Sequence, residues 1–133
     1  MLVDAGPLIA LFNANDAHHT RCLRWIKGNT DRLITTSGVL TEASHVLDRR
    51  VGIQAAIDCL SWVDAALLVH ETASHLKGTI DVMQRYQDLP ADYVDAELVA
   101  LANRLGVFRV ATLDSDFTVY RGAGRQPFHC VIH

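Results

Sequence analysis

Hydrophobic residues recur along this chain with two different spacings, and the two alternate from the first residue to the last. Short apolar runs rich in β-branched residues predict strands, whereas apolar positions three and four apart predict amphipathic helices. The predicted strands are residues 1–3, 32–36, 67–69, 107–112 and 128–132. The predicted helices are residues 8–13, 15–28, 39–50, 52–65, 74–87 and 92–105. Strands that alternate with helices predict a three-layer α/β/α fold with a mainly parallel central sheet, here in a single domain of residues 1–133.

The helix predicted at 92–105 has the clearest boundaries in the chain. Pro90 followed by Asp92 is a typical helix start, and Gly106 is a typical helix end. In the predicted helix at 52–65 the side chains expected to face inward are Ile53, Ala56, Ile57, Leu60 and Val63. Ser74 is expected to cap the helix that follows.

Composition narrows the class of protein without fixing its function. Half of the 133 residues are hydrophobic and 20% are charged, a balance typical of a globular protein. The net charge of −3 gives no overall basic field for nucleic acid. No apolar run approaches the roughly 20 residues of a membrane span, so we expect a cytoplasmic protein. Cys22, Cys59 and Cys130 are far apart, and we expect buried thiols rather than a disulfide or a zinc site.

Acidic residues follow several predicted strands at the point where each strand ends. Asp4 follows the first strand, Glu42 lies just past the second, and Asp114 and Asp116 leave the strand at 107–112. Parallel sheets form their sites at the carboxyl ends of strands, so these acids are expected to share one site. Each also has an ordinary alternative: Asp4 could cap a helix, and Glu42 could be a surface residue in a first helical turn.

Asp92 and Asp95 start the helix that leads into the strand at 107–112. Their spacing of three places both side chains on one helix face. Whether they join the other acids depends on the topology of the sheet.

Clustered carboxylates repel each other unless a cation neutralises them or a proton is shared. Carboxylate oxygens are hard ligands, and a site without histidine or cysteine favours Mg²⁺ or Mn²⁺. Such an ion can activate water and stabilise a leaving oxygen, which suits phosphodiester hydrolysis.

Two other classes of phosphate-related protein fit the sequence poorly. A haloacid-dehalogenase-type phosphatase needs a second Asp two residues after Asp4, and a receiver module needs a late lysine, whereas the last lysine here is Lys77. A non-catalytic protein whose acidic pocket binds a basic peptide remains an alternative.

Three segments carry a resemblance that spans the whole chain. LVDAGPLIALF near the start, LTEASHVL in the middle and DYVDAELVALANRLG with VATLDSDF near the end are similar to the PIN-domain ribonucleases. Within that family, they most resemble the small toxins of the VapBC toxin–antitoxin type. The resemblance implies a PIN-like fold, endonucleolytic RNA cleavage dependent on Mg²⁺ or Mn²⁺, a homodimer, and inhibition by a small antitoxin. A PIN-like nuclease of RNA processing, outside a toxin–antitoxin system, remains the alternative.

The resemblance also implies the residues of the site. The acidic quartet falls on Asp4, Glu42, Asp95 and Asp114, with Asp116 as an auxiliary metal ligand in the same loop. Two supporting positions are implied beside them: Thr112, a small hydroxyl near the metal, and Asp92.

RNA must also be held by cationic side chains away from the acids. The candidates are Arg49, Arg50, Arg121 and Arg125, and their alternative role is solvated surface. For the homodimer, we expect the helices around Trp25 and Leu60 to form the interface.

Overall fold

A five-stranded parallel sheet lies at the centre of the protein. The computed structural model describes residues 1–89 and 91–132, so the helix-start role predicted for Pro90 lies outside the described residues. The strands are β1 (Leu2–Val3), β2 (Leu33–Thr36), β3 (Leu67–His70), β4 (Arg109–Ala111) and β5 (His129–Cys130). Their order in the sheet is β3-β2-β1-β4-β5, and neighbouring strands are parallel.

Within residues 1–89 and 91–132, the structure also contains six α-helices. They are α1 (Ala5–Phe12), α2 (His19–Gly28), α3 (Ser37–Arg50), α4 (Ile53–Ala66), α5 (Leu76–Arg85) and α6 (Tyr93–Leu105). The chain moves from β1 outward to β3 and then crosses back over β1 to β4. Right-handed crossovers therefore place α1 to α4 on one face of the sheet and α5 and α6 on the other. The packing agrees, because α3 packs against α1 and α4, and α5 packs against α6. The predicted three-layer α/β/α fold is confirmed.

β1 is the centre of the core although it has only two residues. Leu2 and Val3 are fully buried, and Leu2 pairs with Ile34 of β2 on one side and with Val110 of β4 on the other. A strand flanked on both sides and covered on both faces reads as a continuous apolar run. The charged side chain of Asp4, the residue after β1, therefore lies at the edge of the sheet.

α2 begins later than the predicted helix at 15–28. The side chain of Asn13 accepts a hydrogen bond from the Asn15 N–H (3.1 Å), and that of Asp16 accepts one from the His18 N–H (2.8 Å). These local bonds hold a turn and compete with the helical pattern. The predicted cap at Ser74 is also wrong: Ala73–His75 forms a short 3₁₀ helix and α5 starts at Leu76.

α4 uses its apolar residues differently from the prediction. It buries the small side chains of Ala56 and Cys59 together with Val63. The larger aliphatic side chains flank this stripe and remain 62%, 46% and 39% exposed, so the expectation that they face inward is wrong. They are Ile53, Ile57 and Leu60.

α6 is buried along most of its length and ends as predicted. Every residue from 96 to 102 is buried, and Gly106 closes the helix in the left-handed conformation at φ 66°. Cys22 and Cys59 are buried and Cys130 is half-buried. Among residues 1–89 and 91–132, no helix is long and apolar enough to cross a membrane.

Candidate active site

Five carboxylates line one cleft at the carboxyl ends of β1, β2 and β4. The cleft has a volume of about 300 Å³ and also contains Ala5, Gly6 and Leu113. It lies where the chain reverses direction across the sheet, which is where open α/β sheets place their sites. The five acids are Asp4, Glu42, Asp92, Asp95 and Asp114. The topology thus brings Asp92 and Asp95 to the acids that follow the strands.

Asp4 is the most deeply buried of these acids, with 7% of its surface exposed. One carboxylate oxygen accepts a hydrogen bond from the Ala5 N–H at 2.6 Å, and the other accepts one from the Thr112 hydroxyl at 2.7 Å. Asp4 therefore caps α1 and faces the cleft at once, so the two interpretations are compatible. Burial raises the pKa of Asp4, and the charges of Asp114 and Asp92 raise it further, against the two hydrogen bonds.

Thr112 connects β1 to the acidic loop that follows β4. Its hydroxyl donates to Asp4 and accepts a hydrogen bond from the Asp114 N–H at 2.9 Å. The Asp114 carboxylate in turn accepts one from the Asp116 N–H at 2.8 Å. These bonds hold the Asp114 side chain in the orientation in which it faces the cleft. Asp116 is half-buried and does not line the cleft, so its place is beside the acids rather than among them.

Asp92 and Asp95 divide two tasks at the start of α6. The Asp92 side chain caps the helix by accepting a hydrogen bond from the Asp95 N–H at 2.9 Å. The Asp95 carboxylate faces the cleft and accepts a hydrogen bond from the Tyr120 hydroxyl at 3.1 Å. Burial, followed by the charges of Asp4 and Asp92, raises the pKa of Asp95 to about 7. Burial and the neighbouring Asp95 also raise the pKa of Tyr120, which keeps its proton for this bond.

Glu42 lies at the rim of the cleft and is exposed. It belongs to the second turn of α3 rather than the first, because the helix already begins at Ser37 with Thr36 as its cap. Partial desolvation, then the charges of Asp4 and Asp92, raise the pKa of Glu42.

Glu97 is a buried acid that sequence reasoning missed. It lies on α6 only 1% exposed, and it accepts hydrogen bonds from the hydroxyls of Thr36 and Thr72. Gly38 packs so closely that an added Cβ would stand 2.0 Å from a Glu97 carboxylate oxygen. The sequence does contain a signal for it, because Glu97 is the acid within the otherwise apolar run of residues 96–102. Glu97 does not line the cleft, and it ties the start of α3 to α6.

The predicted RNA-contacting arginines fall into two places. Arg49 and Arg50 are exposed at the far end of α3 and do not line the cleft. Arg121 and Arg125 line a separate depression beside it, together with Arg85.

The donor chemistry of the cleft fits a hard divalent cation. Its charged groups are all carboxylates, and the pKa values of Asp4, Glu42 and Asp95 are raised, partly by mutual repulsion that a cation would relieve. Within the described part of the chain, no three histidine, cysteine or acidic side chains stand close enough to hold an ion as they are. Binding therefore requires the side chains to draw together or water to complete the coordination, as Mg²⁺ sites commonly do.

With this geometry in place, similarity to known proteins identifies the family. Residues 1–123 match the family model of the PIN domain. The chain belongs to the PIN-domain family. This PIN domain is similar to ribonuclease VapC26 of Mycobacterium tuberculosis, with 28% identity over 94% of this chain and 96% of that protein. It is also similar to the 23S rRNA-specific endonuclease VapC20 of the same organism, with 27% identity over 89% and 92% of the two chains.

A solved structure of one of these relatives also matches the fold of this PIN domain. The crystal structure of M. tuberculosis VapC20, described as a sarcin–ricin loop cleaving toxin, matches this PIN domain with a TM-score of 0.83 and 26% identity. The match covers 89% of this chain and 92% of that one. The resemblance predicted from the three sequence segments is confirmed.

Proposed function

We propose that this PIN domain is a metal-dependent endoribonuclease that hydrolyses RNA phosphodiester bonds and acts as the toxin of a toxin–antitoxin pair. The observation that carries the proposal is the convergence of Asp4, Glu42, Asp95 and Asp114 in one cleft at the switch point of the sheet. The names of the relatives, a ribonuclease and a 23S rRNA-specific endonuclease, support RNA as the substrate class.

Four carboxylates would hold Mg²⁺ or Mn²⁺, with Asp116 as an auxiliary ligand from the adjoining loop. A bound ion of this kind supplies an activated water and neutralises charge on the phosphate. The chain's own groups orient the acids: Thr112 holds Asp4 and Asp114, and Tyr120 holds Asp95. Asp92 caps α6 and so fixes the direction in which Asp95 enters the cleft. The acids also repel RNA until a cation is bound, so cleavage and metal binding are coupled.

A cleavage assay with matched variants tests the proposal. Wild-type protein should cleave single-stranded RNA internally with Mg²⁺ or Mn²⁺, and EDTA should abolish cleavage. Asp114→Asn should lose activity by orders of magnitude because a proposed ligand is gone. Asp64→Asn changes an exposed acid on α4 outside the cleft and should retain activity. Full cleavage in EDTA, or by the Asp114 variant, would contradict a metal-dependent site in this cleft. Absence of cleavage by the wild type with either metal would instead favour the non-catalytic acidic-pocket interpretation.

Two partners belong to the proposal. A small antitoxin that covers the cleft follows from the relationship to VapC toxins, and a short neighbouring reading frame would identify it.

The second partner is another copy of the same chain, and we propose a homodimer through α2 and α4. The exposed aliphatic side chains of α4 support this, because unpaired apolar surface on a small protein favours association.

A further inference from the structure

Three arginines converge on a depression beside the catalytic cleft. The depression has a volume of about 410 Å³ and lies between the end of α5 and the turn at residues 122–125. Its charged lining residues are Arg85, Arg121 and Arg125, and no acid is among the lining residues. Among the described residues, the ion pairs are Lys77 with Asp81 and Arg109 with Asp31, so none of the three arginines is paired there.

The depression is held in shape by contacts that do not need a ligand. The Nη1 group of Arg121 donates to the carbonyl oxygens of Thr118, Val119 and Tyr120 at 2.7–2.9 Å. The Arg121 N–H donates to the hydroxyl of Tyr86 at 2.8 Å. This leaves the other nitrogens of the Arg121 guanidinium for a ligand, at a position fixed before the ligand arrives.

The turn that carries Arg125 is also constrained. Gly122 has no space for a side chain, since an added Cβ would stand 2.1 Å from the Phe108 ring. Gly124 and Arg125 are both in the left-handed conformation, at φ 64° and 63°. An arginine in this conformation is uncommon and brings strain, and the turn keeps its side chain beside the two other cations. Such an arrangement of like charges is most stable with an anion between them.

Two tyrosine rings separate the depression from the cleft. Tyr86, which lines the depression, packs edge-on against Tyr120 with ring centroids 5.0 Å apart. The Tyr120 hydroxyl bonds to Asp95 on the cleft side. The depression therefore lies close enough to the cleft for a strand whose scissile phosphate is in the cleft to reach the arginines with a neighbouring part of its backbone.

We propose that Arg85, Arg121 and Arg125 bind a backbone phosphate of single-stranded RNA next to the cleaved bond. The inference rests on the proposed ribonuclease function. A cleft lined by acids repels a polyanion, so the attraction for RNA must come from cations at its border. The depression supplies three of them, together with the aromatic side chain of Tyr86. Four arginines were predicted to contact RNA. Arg121 and Arg125 lie next to the cleft, whereas Arg49 and Arg50 do not.

The test is direct binding, measured without cleavage. A fluorescein-labelled single-stranded oligoribonucleotide is titrated by anisotropy in EDTA at several salt concentrations, and a gel checks that it stays intact. The variant is Arg85→Gln with Arg125→Gln, which removes two charges at exposed positions, keeps a polar side chain at each and leaves the Arg121 contacts in place. The control is Lys27→Gln with Arg32→Gln, which removes the same charge from exposed positions outside the depression.

The slope of log K against log salt should be less steep in the double arginine variant by up to about 0.7, because the site binds one phosphate and each phosphate neutralised on a single strand contributes about 0.7. The control pair should keep the wild-type slope. Equal slopes in both variants would overturn the proposal, and so would a loss of affinity in the control as large as in the arginine variant. Weaker binding to an acidic peptide alone, with the RNA slope unchanged, would also overturn it in favour of a protein partner.

The result separates this inference from the proposed function. Wild-type cleavage of RNA with Mg²⁺ together with an unchanged slope would leave the nuclease and remove the phosphate site. Absence of cleavage together with a reduced slope would leave an RNA-binding surface without the nuclease.

Discussion

Asp95 shows how one residue near a helix start avoids a choice between stabilising the helix and serving a site. Asp92 takes the capping role, and the Asp95 N–H is the group it caps. The Asp95 carboxylate is thereby left to face Asp4 and Asp114, in a position that costs free energy while no cation is present. The position is explained by the site rather than by the stability of the helix.

Asp95→Asn is expected to raise the melting temperature in EDTA at neutral pH. The pKa of Asp95 is raised from 3.8 to about 7, so the native state binds more protons than the unfolded state between these values. The free energy of unfolding therefore decreases as pH rises through this window, and the asparagine variant should show a weaker decrease. At pH 4 the two proteins should melt at similar temperatures. Calorimetric melting from pH 4 to 8 measures this.

The opposite outcome has a clear meaning. A variant that melts lower than wild type at pH 7.5 in EDTA, and that still cleaves RNA, would leave Asp95 as a residue that merely supports the first helical turn. That contribution is about 0.3–1 kcal/mol.

At the scale of elements, the start of α3 and the middle of α6 form one unit. Thr36 caps α3 by accepting a hydrogen bond from the Val39 N–H at 3.2 Å, and its hydroxyl donates to Glu97 of α6. Thr72, after β3, donates to the other oxygen of the same carboxylate. Since α3 carries Glu42 and α6 carries Asp95, this buried junction helps to set the distance between two acids of the cleft.

Gly38→Ala should destabilise the protein by about 1–3 kcal/mol, the usual cost of overpacking. The added methyl group would meet the Glu97 carboxylate, and this outweighs the gain of up to about 1 kcal/mol that alanine brings to a helix. Gly78→Ala is the matched control, because its Cβ would find only an ordinary contact of 3.7 Å with Ala100. Urea unfolding of both variants measures the difference. If both variants gain stability, the Glu97 junction is not closely packed.

At the scale of the whole molecule, the proposed metal site predicts that the metal-free fold is less stable than the same fold with a bound cation. Mn²⁺ should raise the melting temperature of wild type, since a ligand at 100 times its Kd stabilises the native state by about 2.7 kcal/mol. The Asp114→Asn variant should gain less than wild type at equal Mn²⁺. Thermal melts across a Mn²⁺ titration measure both, and an equal gain for the two proteins would place the bound ion outside this cleft.

The assembly prediction concerns the exposed side of α4. Ile57→Lys should shift the protein toward a monomer in light scattering at micromolar concentration, because it places a charge in the proposed interface. A similar stripe on α5, Leu76, Ile80 and Met83, is also exposed. Ile80→Lys on that stripe is the control and should leave the mass unchanged. A wild-type monomer, or dissociation by Ile80→Lys alone, would contradict an interface through α4.

The sequence by itself determined the order of strands and helices and which acids follow strand ends. Both are local properties: the spacing of apolar residues sets the element, and the end of a strand sets where the next side chain can go. The predicted parallel sheet then grouped Asp4, Glu42, Asp114 and Asp116 at one edge, of which Asp116 does not line the cleft. Gly106 was predicted as a helix end from the local sequence. The motifs at these positions also carried the resemblance to PIN-domain ribonucleases.

Only the tertiary structure decided which groups from distant segments meet. Sheet order brings the start of α6 to β1, and this places Asp95 with Asp4, 91 residues earlier in the chain. Burial of Glu97 between two threonines and the convergence of Arg85 with Arg121 depend on the same long-range packing. α4 exposes Ile57 for a related reason: helical spacing marks an apolar face, but the width of the face that is buried depends on what packs against it.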